Sequence, residues 1–303
     1  MKTWLSGILD AVGNTPLLRV ELGGVEVFLK LESFNPGGSI KDRVAKAIIE
    51  EGERSGELTP DKTVIEATSG NTGIGLAMVC AAKGYRCLIV MPENMSQERK
   101  KILRAYGAEL LLTPAEEGVA GAVRRAQELV EREPERFFPA RQFENPVNPK
   151  VHYEQTALEV LTQLGRLPAL FVAGIGTGGT FTGMARRFKE VNPNCLCVAV
   201  EPDTCAPLSG GPVGPHRIQG IGAGFVPKTL DRGLVDRVET VSYEEAREFT
   251  RRLAKEFGVL CGVSTGANLA VAVRVAKDVK PNGPVVTVAP DTGERYLSTD
   301  LFE

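Results

Sequence analysis

Two periods of hydrophobicity trade places along the chain. Short, largely apolar runs at 64–67, 87–91, 109–112, 170–173, 196–200, 235–241, 259–263 and 285–289 have the length of strands buried on both faces. Between them, at 72–82, 97–106, 119–132, 152–164, 181–191, 243–257 and 267–277, apolar residues recur every three or four positions, as on one face of a helix. Gly84, Pro92, Gly107, Pro134 and Pro202 fall where an element has to stop. Ser242 and Glu245 form a capping box at the start of the 243–257 helix. Strand–helix alternation of this kind predicts parallel sheets covered by helices. The opening 35 residues differ, with strands at 15–20 and 25–31 joined through Gly23-Gly24. The stretch 139–149, rich in proline and asparagine, marks a domain junction, after which the alternation restarts. Residues 203–227 have no periodicity and many Gly and Pro, and so long a loop in a compact domain is usually functional. The fold class is therefore α/β, with two doubly wound open-sheet units in succession.

Composition narrows the function. The 303 residues suit about two domains. The net charge is only −2, with no basic patch or like-charge run, which argues against a nucleic-acid or membrane partner. The longest apolar stretch, 74–82, is too short to span a bilayer, and the first ten residues have no signal-peptide core. A cytoplasmic protein is expected. None of the six cysteines has CxxC spacing and there are only two histidines, so neither a metal site nor a disulfide framework is expected and the cysteines read as packing.

One nonapeptide carries unusual chemistry: Asn35-Pro36-Gly37-Gly38-Ser39-Ile40-Lys41-Asp42-Arg43. Pro36 and the two glycines make a turn. Ser39 is a good N-cap, Asp42 can reach back to it, and Ile40, Val44, Ala47 and Ile48 continue at helical spacing. Lys41 thus falls in the first turn of a helix, where the dipole disfavours a cation. An amine whose pKa is depressed there can serve as nucleophile or base. A plain capped helix with a solvated lysine is the bland alternative.

Three strand-to-helix turns are built alike: Thr68-Ser69-Gly70-Asn71-Thr72-Gly73, Gly174-Ile175-Gly176-Thr177-Gly178-Gly179-Thr180 and Gly262-Val263-Ser264-Thr265-Gly266. Each is expected at the carboxyl end of a parallel strand, where open α/β sheets bind ligands, and each offers N–H groups and hydroxyls to an anion. Gly174, Gly176 and Gly179 also satisfy G-x-G-x-x-G, with Glu201 near the place of a ribose-binding acid, so a nicotinamide-dependent dehydrogenase is a remote alternative. Against it, that chemistry gives no role to the Lys41 and Asn71 turns.

These stretches, together with Asn14-Thr15-Pro16-Leu17, Gln142-Phe143-x-Asn145-Pro146, Gln219-Gly220-Ile221-Gly222-Ala223-Gly224-Phe225 and Gly293-Glu294-Arg295-Tyr296, resemble the cysteine synthase (O-acetylserine sulfhydrylase) family of fold-type II pyridoxal-phosphate enzymes over essentially the whole chain. His216-Arg217-Ile218-Gln219-Gly220 looks most like its type A branch. The resemblance implies a tryptophan synthase beta-like fold, with a smaller domain at 36–145, a larger one from 1–35 and 146–303, and the active site in the cleft between them. It implies Lys41 as the Schiff-base lysine and Gly176, Thr177, Gly178, Gly179 and Thr180 as the phosphate cradle. Asn71 would meet the ring oxygen and Ser264 the pyridine nitrogen. Thr68, Ser69, Gly70, Asn71, Thr72 and Gln142 would hold the substrate carboxylate, with Gly220 bordering the substrate.

The activity so implied is β-replacement, giving L-cysteine and acetate from O-acetyl-L-serine and sulfide. Related reactions with thiosulfate, O-phosphoserine, or serine and homocysteine remain open, and Arg217 could serve an anionic substrate group. The resemblance further implies a homodimer and docking of the C-terminal tail of serine acetyltransferase. His152 reads as part of a helix N-terminal region, and His216, in the long loop, reads equally as a neighbour of the substrate or as solvent-exposed.

Overall fold

The computed structural model describes residues 4–68 and 70–303. In chain order the elements are β1 (Leu17–Leu22), β2 (Val25–Leu31), α1 (Lys41–Ser55), β3 (Thr63–Ala67), α2 (Asn71–Lys83), β4 (Arg86–Pro92), α3 (Gln97–Ala105), β5 (Glu109–Thr113), α4 (Gly118–Arg132) and β6 (Phe137–Pro139). A short α5 (Val147–Val151) runs through a π-helical turn (His152–Thr156) into α6 (Ala157–Leu164). Then follow β7 (Leu170–Gly174), α7 (Gly179–Val191), β8 (Leu196–Pro202), β9 (Arg237–Val241), α8 (Tyr243–Phe257), α9 (Val263–Val279) and β10 (Val285–Ala289). The chain divides into two compact units, one of residues up to Val12 with Asn35–Val147, the other of Gly13–Phe34 with Asn148–Glu303.

The smaller unit holds a four-stranded parallel sheet in the order β5-β4-β3-β6. Ile65, Val90 and Phe137 from three neighbouring strands bury against Ala122 and Ala126 of α4. The alanines let the helix sit close to the strands. The larger unit holds six strands in the order β1-β2-β10-β7-β8-β9, parallel except for the β1–β2 hairpin. Successive residues of its central strands face opposite layers. Leu170, Val172, Val198 and Val200 pack with Val271 and Val275 of α9, while Phe171, Ala173, Cys197 and Ala199 pack with Phe181 and Phe188 of α7. Phe171 meets Phe188 edge-on at 5.2 Å between ring centres. Each buried Val, Leu or Phe among these contributes roughly 1.5–3 kcal/mol. Continuous apolar strands thus have a helical layer on each face.

Three local expectations change. No strand forms at 259–263: Cys261 makes only an isolated bridge to Thr292, and α9 already starts at Val263. Gly262, extended and donating its N–H to the Asp291 carbonyl at 3.2 Å, ends the incoming chain and begins the helix. Ser264, Thr265 and Gly266 therefore lie in the first turn of α9 and not in a strand-to-helix turn. A short strand, β6, precedes the proline-rich junction and was hidden by its three-residue length. Asp42 does not reach Ser39; its carboxylate accepts the Gly37 N–H at 2.6 Å, while the Ser39 hydroxyl accepts the Lys41 N–H at 3.2 Å.

Candidate active site

In the smaller unit, Lys41 is the first residue of α1 and Asn71 the first of α2. The two helix starts are held together by a close approach. A β-carbon on Gly75 would stand 3.0 Å from the Lys41 carbonyl oxygen, so a side chain at Gly75 would push α2 away from it. The Asn35–Ser39 turn feeds Lys41 into this position, with Gly38 left-handed at φ 79° and Asp42 fully buried beneath Gly37.

The segment from Thr68 to Thr72 follows β3 directly. The Gly70 N–H donates to the Thr68 hydroxyl at 3.2 Å, and among the described residues no side chain caps the start of α2. Its first amides thus have no intrahelical acceptor. Gln142 enters from the chain just past β6, the neighbouring strand. Its side-chain oxygen accepts from the Thr72 hydroxyl at 2.6 Å, and its Nε2 donates to Glu66 Oε1 at 3.1 Å. Thr68, Gly70, Asn71, Thr72 and Gln142 are therefore gathered at one end of this sheet. Ser69 lies outside the described residues. Glu66 was not singled out from the sequence, because a lone acid inside an apolar strand carries no motif.

In the larger unit the turn after β7 is packed hard from its protein side. A β-carbon on Gly176 would meet the Gly220 carbonyl oxygen at 2.3 Å, one on Gly178 would meet Leu230 Cβ at 2.8 Å, and one on Gly179 would meet Asn148 Oδ1 at 2.0 Å. Among the described residues, the amides of Gly176, Thr177, Gly178, Gly179 and Thr180 have no backbone acceptor, the first intrahelical bond being from Thr182 N–H to the Gly178 carbonyl at 2.9 Å. The hydroxyls are oriented from behind. Asn148 Nδ2 donates to Thr177 Oγ1 at 2.9 Å, and the fully buried His152 ring lies 3.2 Å from Thr180 Oγ1 and 2.9 Å from Thr156 Oγ1. Thr229 donates to the Thr177 carbonyl. Asn268 accepts the Gly174 N–H at 2.7 Å and donates to the Val288 carbonyl at 3.0 Å, tying β7 to β10. Asn148, His152, Thr229 and Asn268 are supports that the sequence left unmarked. His152 is correspondingly more than an ordinary helix residue.

The 216–224 loop returns Gly220 to this turn and to Ser264, whose hydroxyl would lie 3.6 Å from a β-carbon on Gly220. His216 Nε2 donates to the Gly222 carbonyl at 2.8 Å, and the Gly222 N–H donates to the Ile175 carbonyl at 2.9 Å, so the histidine holds the loop. Arg217 is committed elsewhere, paired with Asp300 and stacked 4.0 Å over the Tyr243 ring. Its availability to an anionic substrate group is correspondingly reduced. Arg217 and the Tyr243 hydroxyl hold the Asp300 carboxyl down at about 2. Glu201 is likewise engaged: Oε1 accepts the Leu208 N–H at 2.8 Å, and Oε2 accepts the Ser209 N–H and hydroxyl, each at 3.0 Å. The dinucleotide reading thereby loses its ribose-binding acid.

Donor-rich amides and two threonine hydroxyls with no carboxylate among them suit a phosphate dianion. In the smaller unit, a lysine at a helix start suits an aldehyde-bearing ligand. Among the described residues no cluster of His, Cys, Asp and Glu would hold a metal ion, and no helix is long and apolar enough to cross a membrane.

Residues 8–291 match the pyridoxal-phosphate dependent enzyme family, and the chain belongs to that family. It is 48% identical over 303 residues to a cysteine synthase of Staphylococcus aureus, covering 98% of this chain and 97% of that one. Among solved structures, O-ureido-L-serine synthase superposes with a TM-score of 0.94 at 45% identity, covering 99% of this chain and 95% of that one. O-acetylserine sulfhydrylase isoform 3 of Entamoeba histolytica superposes with a TM-score of 0.95 at 40% identity, covering 99% and 92%.

Proposed function

We propose that this protein is a pyridoxal-phosphate-dependent β-replacement enzyme that makes L-cysteine and acetate from O-acetyl-L-serine and sulfide. The observation that carries this reading is the 48% identity to a cysteine synthase over nearly the full length of both chains. When bound, pyridoxal phosphate supplies an electron sink for negative charge developing at the substrate Cα. Lys41 would hold the cofactor covalently through its amine, and the same amine, once displaced by the substrate, would take the Cα proton and later return it. Gly176, Thr177, Gly178, Gly179 and Thr180 would hold the phosphate, Asn71 the ring oxygen, and Ser264 the pyridine nitrogen. A hydroxyl there, unlike a carboxylate, does not enforce a proton on the nitrogen, which favours departure of acetate over transamination. Thr68, Ser69, Gly70, Asn71, Thr72 and Gln142 would bind the substrate carboxylate, with Gly220 beside it. Hydrosulfide replaces acetate at Cβ and needs no histidine or cysteine to activate it.

A second reading, replacement with another nucleophile, is supported by the similarity to O-ureido-L-serine synthase. Steady-state assays of sulfide, thiosulfate, homocysteine and hydroxyurea against O-acetylserine, O-phosphoserine and serine separate the two. The proposed activity requires the highest kcat/KM for the O-acetylserine–sulfide pair. A homodimer, a cytoplasmic location and docking of a serine acetyltransferase tail belong to the same proposal; sedimentation, fractionation and tail-peptide titration test them.

A further inference from the structure

Glu66 is a carboxyl in an apolar strand, 8% exposed, between Ile65 and Ala67 of β3. Burying a carboxyl is costly unless its oxygens are hydrogen-bonded. β3 and β6 run side by side and parallel, with Ile65 opposite Pro139 and the Ala140 N–H donating to the Ile65 carbonyl at 3.1 Å. Immediately beyond, Arg141 takes a left-handed conformation at φ 51°. A non-glycine residue held there is strained, and such strain clusters at functional sites. There the backbone N–H groups of Arg141 and Gln142 lie near enough to favour the ionised Glu66 carboxyl. Gln142 Nε2 donates to Glu66 Oε1 at 3.1 Å, and Gln142 Oε1 accepts from Thr72 Oγ1 at 2.6 Å. Gln142 is 5% exposed and Thr72 2% exposed.

A primary amide presents two N–H donors at one end and an acceptor at the other, and rotation by half a turn exchanges them. Glu66 removes that freedom. With one Nε2–H on the carboxylate, the other has a fixed direction, and the amide oxygen faces Thr72. Reversed, the amide would set its oxygen against the Glu66 carboxylate, which is repulsive while Glu66 is ionised. We propose that Glu66 is a positioning residue for the amino-acid substrate, fixing the Gln142 amide and through it the Thr72 hydroxyl in the orientation that receives the substrate carboxylate. This rests on the reading that Gln142 and Thr72 bind that carboxylate, and it adds a residue that does not itself touch substrate. Burial pushes the Glu66 carboxyl up to about 7, against the pull of the Gln142 amide and the Arg141 and Gln142 backbone.

The test is a spectral titration of the holoenzyme with L-alanine, which carries the carboxylate but no leaving group, alongside ethylamine, which lacks the carboxylate. In Glu66→Leu the apparent Kd for L-alanine is expected to rise at least tenfold, with a smaller rise in Glu66→Gln. The Kd for ethylamine, the resting cofactor spectrum and the KM for sulfide stay within twofold. In the Glu66→Leu/Gln142→Ala double variant the loss should equal that of Gln142→Ala alone, because both act through one amide. Equal losses for L-alanine and ethylamine, additive losses in the double variant, or an unchanged L-alanine Kd would each overturn the proposal. If Glu66→Leu does not fold, Glu66→Gln carries the same comparison. Absence of turnover with O-acetylserine and sulfide would instead remove the proposed reaction, and the alanine titration would still read the positioning.

Discussion

Asn148 and Gly179 approach so closely that a β-carbon on Gly179 would stand 2.0 Å from the Asn148 side-chain oxygen. The same asparagine donates to the Thr177 hydroxyl at 2.9 Å. One side chain therefore fixes both the path of the turn and the direction of a hydroxyl within it. Gly179→Ala is expected to cost about 1–3 kcal/mol through overpacking, read as a fall in Tm, and to weaken retention of pyridoxal phosphate at least a hundredfold, read by absorbance after dialysis. Adding Asn148→Ala relieves the clash and should recover stability without recovering the cofactor, since Thr177 has then lost its partner. Recovery of both would contradict the role given to Asn148.

Glu66 makes stability depend on pH in an unusual direction. Its carboxyl is raised from 4.5 to about 7 by burial. An acid whose folded pKa is raised contributes stability that is fully present below the unfolded pKa and is lost as pH rises toward the folded one. The stability of the wild type relative to Glu66→Gln, which does not titrate, should therefore fall between pH 4.5 and 7, by up to about 3 kcal/mol if the full shift is realised, and stay level above. Urea unfolding of both proteins at pH 5 and pH 8 measures this. Parallel curves at the two pH values would contradict the burial of a titrating carboxyl.

Much of the fold was legible because parallel strands buried on both faces are continuous apolar runs, and breakers such as Gly84 and Pro92 punctuate them. What stayed hidden depends on distant partners. The 259–263 run looks like a strand, yet it has no neighbouring strand to pair with beyond the Cys261–Thr292 bridge, and α9 starts within it. Lys41, Asn71 and the 176–180 turn stand out because their motifs are contiguous. Asn148, His152, Thr229 and Glu66 do not, because each acts on a residue at least 28 positions away or across two strands. No local spacing encodes such a contact.

The cysteines give an independent check on the core. All six are free and buried, and burial pushes the Cys261 thiol up to about 12. Cys197 is also raised, by its hydrogen bond with Cys195 and by burial. Since the thiolate is the reactive form, the native protein should resist a thiol-directed reagent at pH 8, and all six thiols should react in denaturant. Fast labelling of any one thiol in the native state would contradict the packing of that residue.

The central claim is that the helix-start lysine carries the cofactor. Borohydride reduction of the purified holoenzyme, followed by proteolysis and mass spectrometry, measures it most directly. The account predicts loss of the visible absorbance and one pyridoxyl adduct per chain, on Lys41, absent from Lys41→Ala, together with a fall in kcat of at least a thousandfold in that variant. An adduct on a different lysine, or a Lys41→Ala enzyme that turns over normally, would contradict it.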